Sequence, residues 1–139
     1  MTFDPRRFVQ EDDGATAVEF ALVLPLLLAI VFGIICFGQY FAIANSLQQL
    51  AAEAARHSVL ELGATQRAAL AESFIDDAGE RFTFLGNDKV TRSVQTFSAP
   101  VPGIQVTLTY DLQGSAVDIM DGFLGFDIES ISRSSYLAY

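Results

Sequence analysis

This chain of 139 residues has one cysteine, Cys36, one histidine, His57, and eight Lys+Arg against seventeen Asp+Glu, a formal net charge of −9. A lone cysteine makes no internal disulfide, so whatever folds must hold by packing. The shortage of cations excludes a nucleic-acid-binding surface, which needs a basic footprint. A single histidine with no cysteine near it in sequence offers no metal-ligand set. Asp76-Asp77 and Asp88 lack the spacing of a calcium loop and read as a solvated helix face and a turn. Asp118 and Asp121 have no nucleophile or orienting partner in reach and read as solvated loop residues. With no glycine-rich phosphate loop and no Ser-His-Asp pattern, the sequence presents no catalytic residues, no cofactor site and no metal site; the chain reads as a non-enzyme.

What it has in quantity is apolar residues in one place. Phe20–Ala44 carries no formal charge. As a helix at ~1.5 Å per residue it would extend roughly 37 Å, enough to cross a ~30 Å hydrocarbon core. Cys36 lies inside this run, where a thiol behaves as a small apolar residue. Pro25 removes one helix hydrogen bond and should kink the helix near its start. Met1–Gly14 is polar and holds Arg6 and Arg7, while the far flank offers only Glu53 and Arg56. The basic pair places the N-terminus in the cytoplasm and the C-terminal part on the other side.

Beyond Ala44 the composition stays helical. Leu47, Leu50, Ala51, Ala54 and Ala55 recur at helical spacing, so one helix from Thr16 to Leu62 is expected, with Gly63 as its stop. Thr65 then caps a second helix, Gln66 to Arg81, with Leu70, Phe74, Ile75 and Ala78 as its buried stripe. Gly86-Asn87-Asp88 is a turn signal, Val90–Ser98 a strand and Pro100–Gly103 a tight connection. Ile104–Leu112 alternates apolar and polar without a fault, a strand with one buried and one wet face. Gly114–Gly125 reads as a looser connection with a helical turn at Val117–Met120, and Ile128–Tyr139 as a last strand. The fold class is α+β: a long N-terminal helix, a second helix and a small antiparallel sheet. The segments divide as leader 1–14, membrane-spanning half-helix 15–44 and exported domain 45–139.

The junction at Gly14 carries the most specific signal. Gly14 presents no side chain, so a protease could hold its backbone extended and close. Cleavage after it would free the amino group of Ala15 as an ammonium, one helical turn from the carboxylate of Glu19. That pairing gives a reason to keep a charge at the edge of an apolar run, where it is costly. Gly14, Ala15-Thr16-Ala17-Val18 and Glu19-Phe20 together resemble the type IV pilin class. The further run Ala17–Leu28 resembles the TadE-like pseudopilins of the tight adherence (Tad, or Flp) pilus. Phe20 stands where the short Flp pilins have Tyr, and an acidic tract precedes Gly14.

The resemblance implies a minor pseudopilin with cleavage by a prepilin peptidase between Gly14 and Ala15. It implies that Glu19, with Phe20 beside it, guides assembly by meeting the N-terminal amine of a neighbouring subunit. The implied partners are the peptidase, a Flp-type major pilin, a TadF-like pseudopilin and the inner-membrane assembly platform, with the inner membrane or the pilus as location. The competing readings are a membrane-anchored periplasmic binding domain with no pilus role, and a secretory protein cut at Ala42-Ile43-Ala44, whose apolar stretch would be unusually long for a signal.

Overall fold

A computed structural model describes residues 12–78, 82, 85–125 and 127–139. The leader before Asp12 and the expected helix end at Arg81 lie outside the described residues. The chain divides into two compact units that meet in sequence between Ile35 and Cys36.

Helix α1 is Asp12–Ser58 and contains Pro25. It starts before the expected Thr16 because nothing at Gly14 requires a break: a glycine within a helix costs only about 0.5–1 kcal/mol relative to alanine. It also ends earlier than expected, at Ser58. There the Ser58 hydroxyl donates back to the Ala55 carbonyl at 2.7 Å, and the N–H groups of Leu60 and Glu61 bond to the carbonyls of His57 and Ser58. Gly63 is therefore not the stop of α1. It opens α2, Ala64–Ala78, by accepting the Arg67 N–H at 2.9 Å. The Gln66 side chain folds back into the space that a Cβ on Gly63 would fill. Thr65 lies inside α2 and is not its cap.

A short 3-10 turn at Asn87–Lys89 leads into β1, Val90–Phe97, followed by β2, Gly103–Asp111, α3, Ala116–Leu124, and β3, Ser130–Ala138. The segment Gly114–Gly125 is thus more than a looped connection. Ser115 accepts the Asp118 N–H at 3.2 Å, Asp118 accepts the Gly114 N–H at 2.8 Å, and Gly125 closes the helix at φ 68° with its N–H on the Asp121 carbonyl. Asp118 and Asp121 consequently sit on a helix, and Asp118 is one of its caps.

The three strands form one antiparallel sheet in the order β1-β2-β3. The alternation read in β2 sorts its side chains as expected. Ile104, Val106, Leu108 and Tyr110 are buried, with Leu112 just beyond the strand, while Gln105, Thr107 and Thr109 are partly exposed. These join one core with Ile43, Leu47, Leu50, Ala51, Ala54 and Ala55 of α1, Ala71, Ile75 and Ala78 of α2, and Ile131 of β3. Leu70 is only half-buried, so the stripe of α2 runs through Ala71 instead.

Cross-strand register places Arg92 of β1 and Arg133 of β3 on either side of Leu108. Both arginines therefore stand on the inward face at the sheet's two edges. Arg92 pairs with Asp76 of α2. The outward face carries Thr, Ser and Gln in facing rows, with Thr109 and Ser132 sharing a hydroxyl hydrogen bond at 3.1 Å.

Leu108→Ala should destabilise the chain by about 2–5 kcal/mol, because it empties a fully buried site. Thr107→Ala should cost under about 1 kcal/mol. Thermal or denaturant unfolding of the full chain in detergent micelles checks both, and equal losses would mean that the alternation does not report burial.

Candidate functional site

The residues singled out at the start of the apolar run all lie on α1. Gly14, Ala15, Glu19 and Phe20 are exposed. Ala15 and Glu19 lie one turn apart on the same face of a continuous helix. A Cβ added to Gly14 would meet nothing within 4 Å. No packing in the folded chain therefore requires glycine there, although glycine weakens a helix. Gly33 and Gly38 are equally open. Pro25 lies inside α1 and leaves the carbonyl of Ala21 without its usual helical donor.

The helix carrying these residues has its most apolar 18-residue window at a mean hydropathy of 3.0, yet only 6% of that window is buried. A core helix of a soluble protein would be mostly covered. Here Leu22, Leu26, Phe32 and Ile34 all present more than half of their surface. Exposed apolar area of this extent marks an interaction surface, and length and hydropathy match a bilayer core.

From Cys36 onward, α1 acquires partners. Cys36 is buried, and its thiol lies 3.2 Å from the Ala116 carbonyl. One turn later the Gln39 side-chain carbonyl accepts the Ala116 N–H at 2.9 Å. Cys36 and Gln39 share one face, and together they hold the first residue of α3. Gln48 donates to the Ser134 carbonyl of β3 at 3.3 Å. His57 stacks on Phe74 of α2, with ring centroids 4.8 Å apart. The lone histidine thus packs the end of α1 against α2. Among the described residues, no group of three or more His, Cys, Asp or Glu side chains is placed to hold a metal ion.

Away from these contacts, Phe97, Ala99, Pro100, Val101, Gln105 and Tyr136 line an open depression of about 320 Å³. The Tyr136 ring fills the space beside Gly103, and its hydroxyl donates to the Val101 carbonyl at 3.1 Å. Asp121 Oδ1 is the one buried side-chain polar atom among the described residues with no hydrogen-bond partner.

The chain is thus an α+β protein with one exposed apolar helix that fits a single-pass membrane anchor. Residues 14–56 match the model of a family described as TadE-like protein, and over this stretch the chain is similar to that family. The matched stretch opens on Gly14 and ends within α1, leaving α2, α3 and the sheet outside it. No curated protein and no solved structure gives a significant match to the chain.

Gln39→Ala removes the acceptor for the first N–H of α3 and should cost about 1 kcal/mol. For a unit of this size that is about 4 °C in melting temperature. Gln49→Ala, on an exposed position of the same helix, should leave the melt unchanged. Thermal scans of the full chain in detergent micelles compare the two.

Proposed function

We propose that the chain is a minor pseudopilin of a Tad pilus. It is made as a precursor in the inner membrane, cut by a prepilin peptidase between Gly14 and Ala15, and carries its sheet-bearing unit on the far side. One observation carries this reading. The barely covered apolar run of α1 begins directly behind Glu19, five residues after Gly14, inside the stretch that resembles TadE-like proteins. The lack of any packing need for glycine at position 14 supports a requirement imposed from outside the folded chain. A peptidase cleft that takes the backbone in extended form would impose one, and it would have to unwind the first turn of α1 to do so.

In this reading the chain is a substrate and a building part, not an enzyme. Its partners are the peptidase, Flp-type major pilin, a TadF-like pseudopilin and the assembly platform. The new ammonium on Ala15 and the carboxylate of Glu19, with Phe20 packing alongside, are the groups that meet a neighbouring subunit. An ion pair shielded by lipid and helix is stronger than one in water, and loss of one partner strands the other.

The mature N-terminus tests the reading: N-terminal sequencing should begin at Ala15. A start at Met1 would favour an anchored binding domain, and a start at Asn45 a secreted one. Gly14→Val should leave an uncut precursor in cells with the native peptidase, and mature mass from that variant would sink the cleavage site. Glu19→Gln should be inserted and cut but fail to crosslink to other pilins or support piliation, whereas Glu19→Asp should be partly active. Wild-type piliation from Glu19→Gln would remove its assembly role.

A further inference from the structure

Helix α3 presents apolar side chains to the outside. Ile119 is 71% exposed, Phe123 90% and Leu124 55%. Ile119 and Phe123 are four apart and lie one above the other on one face, while Val117 turns into the core. A nine-residue helix that is capped at both ends and holds its largest apolar residues outward has a face with no partner among the described residues. Its position says what covers that face.

The first residue of α3 is fixed to α1 at Cys36 and Gln39. Counted along α1 from Phe20, the first uncharged residue after Glu19, a ~30 Å hydrocarbon core is used up after about 20 residues, at Gln39. Helix α3 is therefore pinned to α1 at the level where the helix leaves the lipid tails. Phe37 and Phe41, on either side of Gln39, are themselves exposed. Helix α3 thus shares the unit of these two exposed rings.

We propose that α3 is an interfacial helix, with Ile119, Phe123 and Leu124 seated in the headgroup–acyl boundary of the bilayer that α1 crosses. The inference rests on the reading of α1 as a membrane anchor. It adds a second point of contact between the chain and the bilayer. Free interfacial helices use Lys and Arg to attract anionic lipid. Helix α3 has only Asp118 and Asp121, so its contact is apolar and indifferent to lipid charge. Attachment to α1 makes the encounter intramolecular, and a small apolar wedge with little affinity of its own then suffices.

The chain has no tryptophan, so single-tryptophan variants report one site each. The full chain is placed one copy per phosphatidylcholine nanodisc, with lipids either plain or brominated, the bromines placed both near the headgroup and deep in the acyl chains. Phe32→Trp tests the anchor, Phe123→Trp tests α3, and Tyr136→Trp tests the end of β2 farthest from α3, where Tyr136 lies against Gly103. The expected result is loss of emission in brominated lipid for Phe32→Trp and Phe123→Trp, unaltered by salt, and none for Tyr136→Trp. Quenching of Phe32→Trp alone, with Phe123→Trp open to aqueous acrylamide, overturns the interfacial helix and leaves the anchor standing. In that case a face shielded only when a second copy or another pilin is added belongs to a protein interface. An unquenched Phe32→Trp overturns the anchor and the inference with it. Equal quenching of all three means the whole unit lies on the bilayer, which also overturns a specific role for α3.

Discussion

The fold depends on one contact: the stripe of small and branched residues along the second half of α1 against the inner face of β2. A three-stranded sheet exposed on both faces has too little buried area to stand alone. Here Ile104, Val106, Leu108 and Leu112 are fully enclosed, as are Leu47, Ala51 and Ala54 from the helix side. The alanines matter as much as the larger residues. Ala51, Ala54 and Ala55 lie with Leu47 and Leu50 in the same buried cluster as the inward residues of β2. With one cysteine in the chain no covalent link relieves this contact of its task.

The remaining elements attach to that pair and owe their positions to it. Helix α2 supplies Ala71, Ile75 and Ala78 to the core and meets the first strand through Asp76 and Arg92. At the C-terminal end of the chain, the Arg67 guanidinium lies 3.5 Å over the Tyr139 ring, and the Tyr139 N–H bonds to the Pro102 carbonyl. Helix α3 follows the other end of the central strand and is tied to α1 at Gln39. Along α1 the same helical backbone thus meets two environments. From Gly14 to Ile35 its residues are exposed apart from the partly covered Leu24 and Gly33; from Cys36 they divide into a covered stripe and an exposed one.

Much of this was legible in the sequence where the signal is periodic. The alternation of Ile104–Leu112 located the central strand and its buried face, and the helical spacing of Leu47–Ala55 located the face that covers it. Boundaries were less legible because they are set by particular hydrogen bonds. The Ser58 hydroxyl ends α1, and Gly63 starts a helix where its composition suggested a stop. For α3 the sequence suggests only a helical turn at Val117–Met120 within a looser connection, although the caps of the full helix are visible: Ser115 three residues before Asp118, and Gly125 at the close. Its docking on Cys36 and Gln39 could not be read at all, since those partners lie about eighty residues away in the chain and neither side has a periodic signature. The roles given to Gly14 and Glu19 came from spacing and resemblance, and the family similarity covers their segment while leaving the sheet without a relative.

The two arginines that flank Leu108 bear on how such a subunit survives at high concentration. Strands β1 and β3 are the edges of the sheet, the usual template for one sheet to add to another, although on β3 the carbonyls of Ser132 and Ser134 already accept from Arg133 and Gln48. Turning a cation inward at the middle of each edge makes that addition costly. A strand from a second molecule laid along either side would have to bury the guanidinium of Arg92 or Arg133 against its own apolar face. Their aliphatic stems meanwhile shield the flank of Leu108 from water. The inward cations thereby weigh against sheet-to-sheet growth at the strand edges.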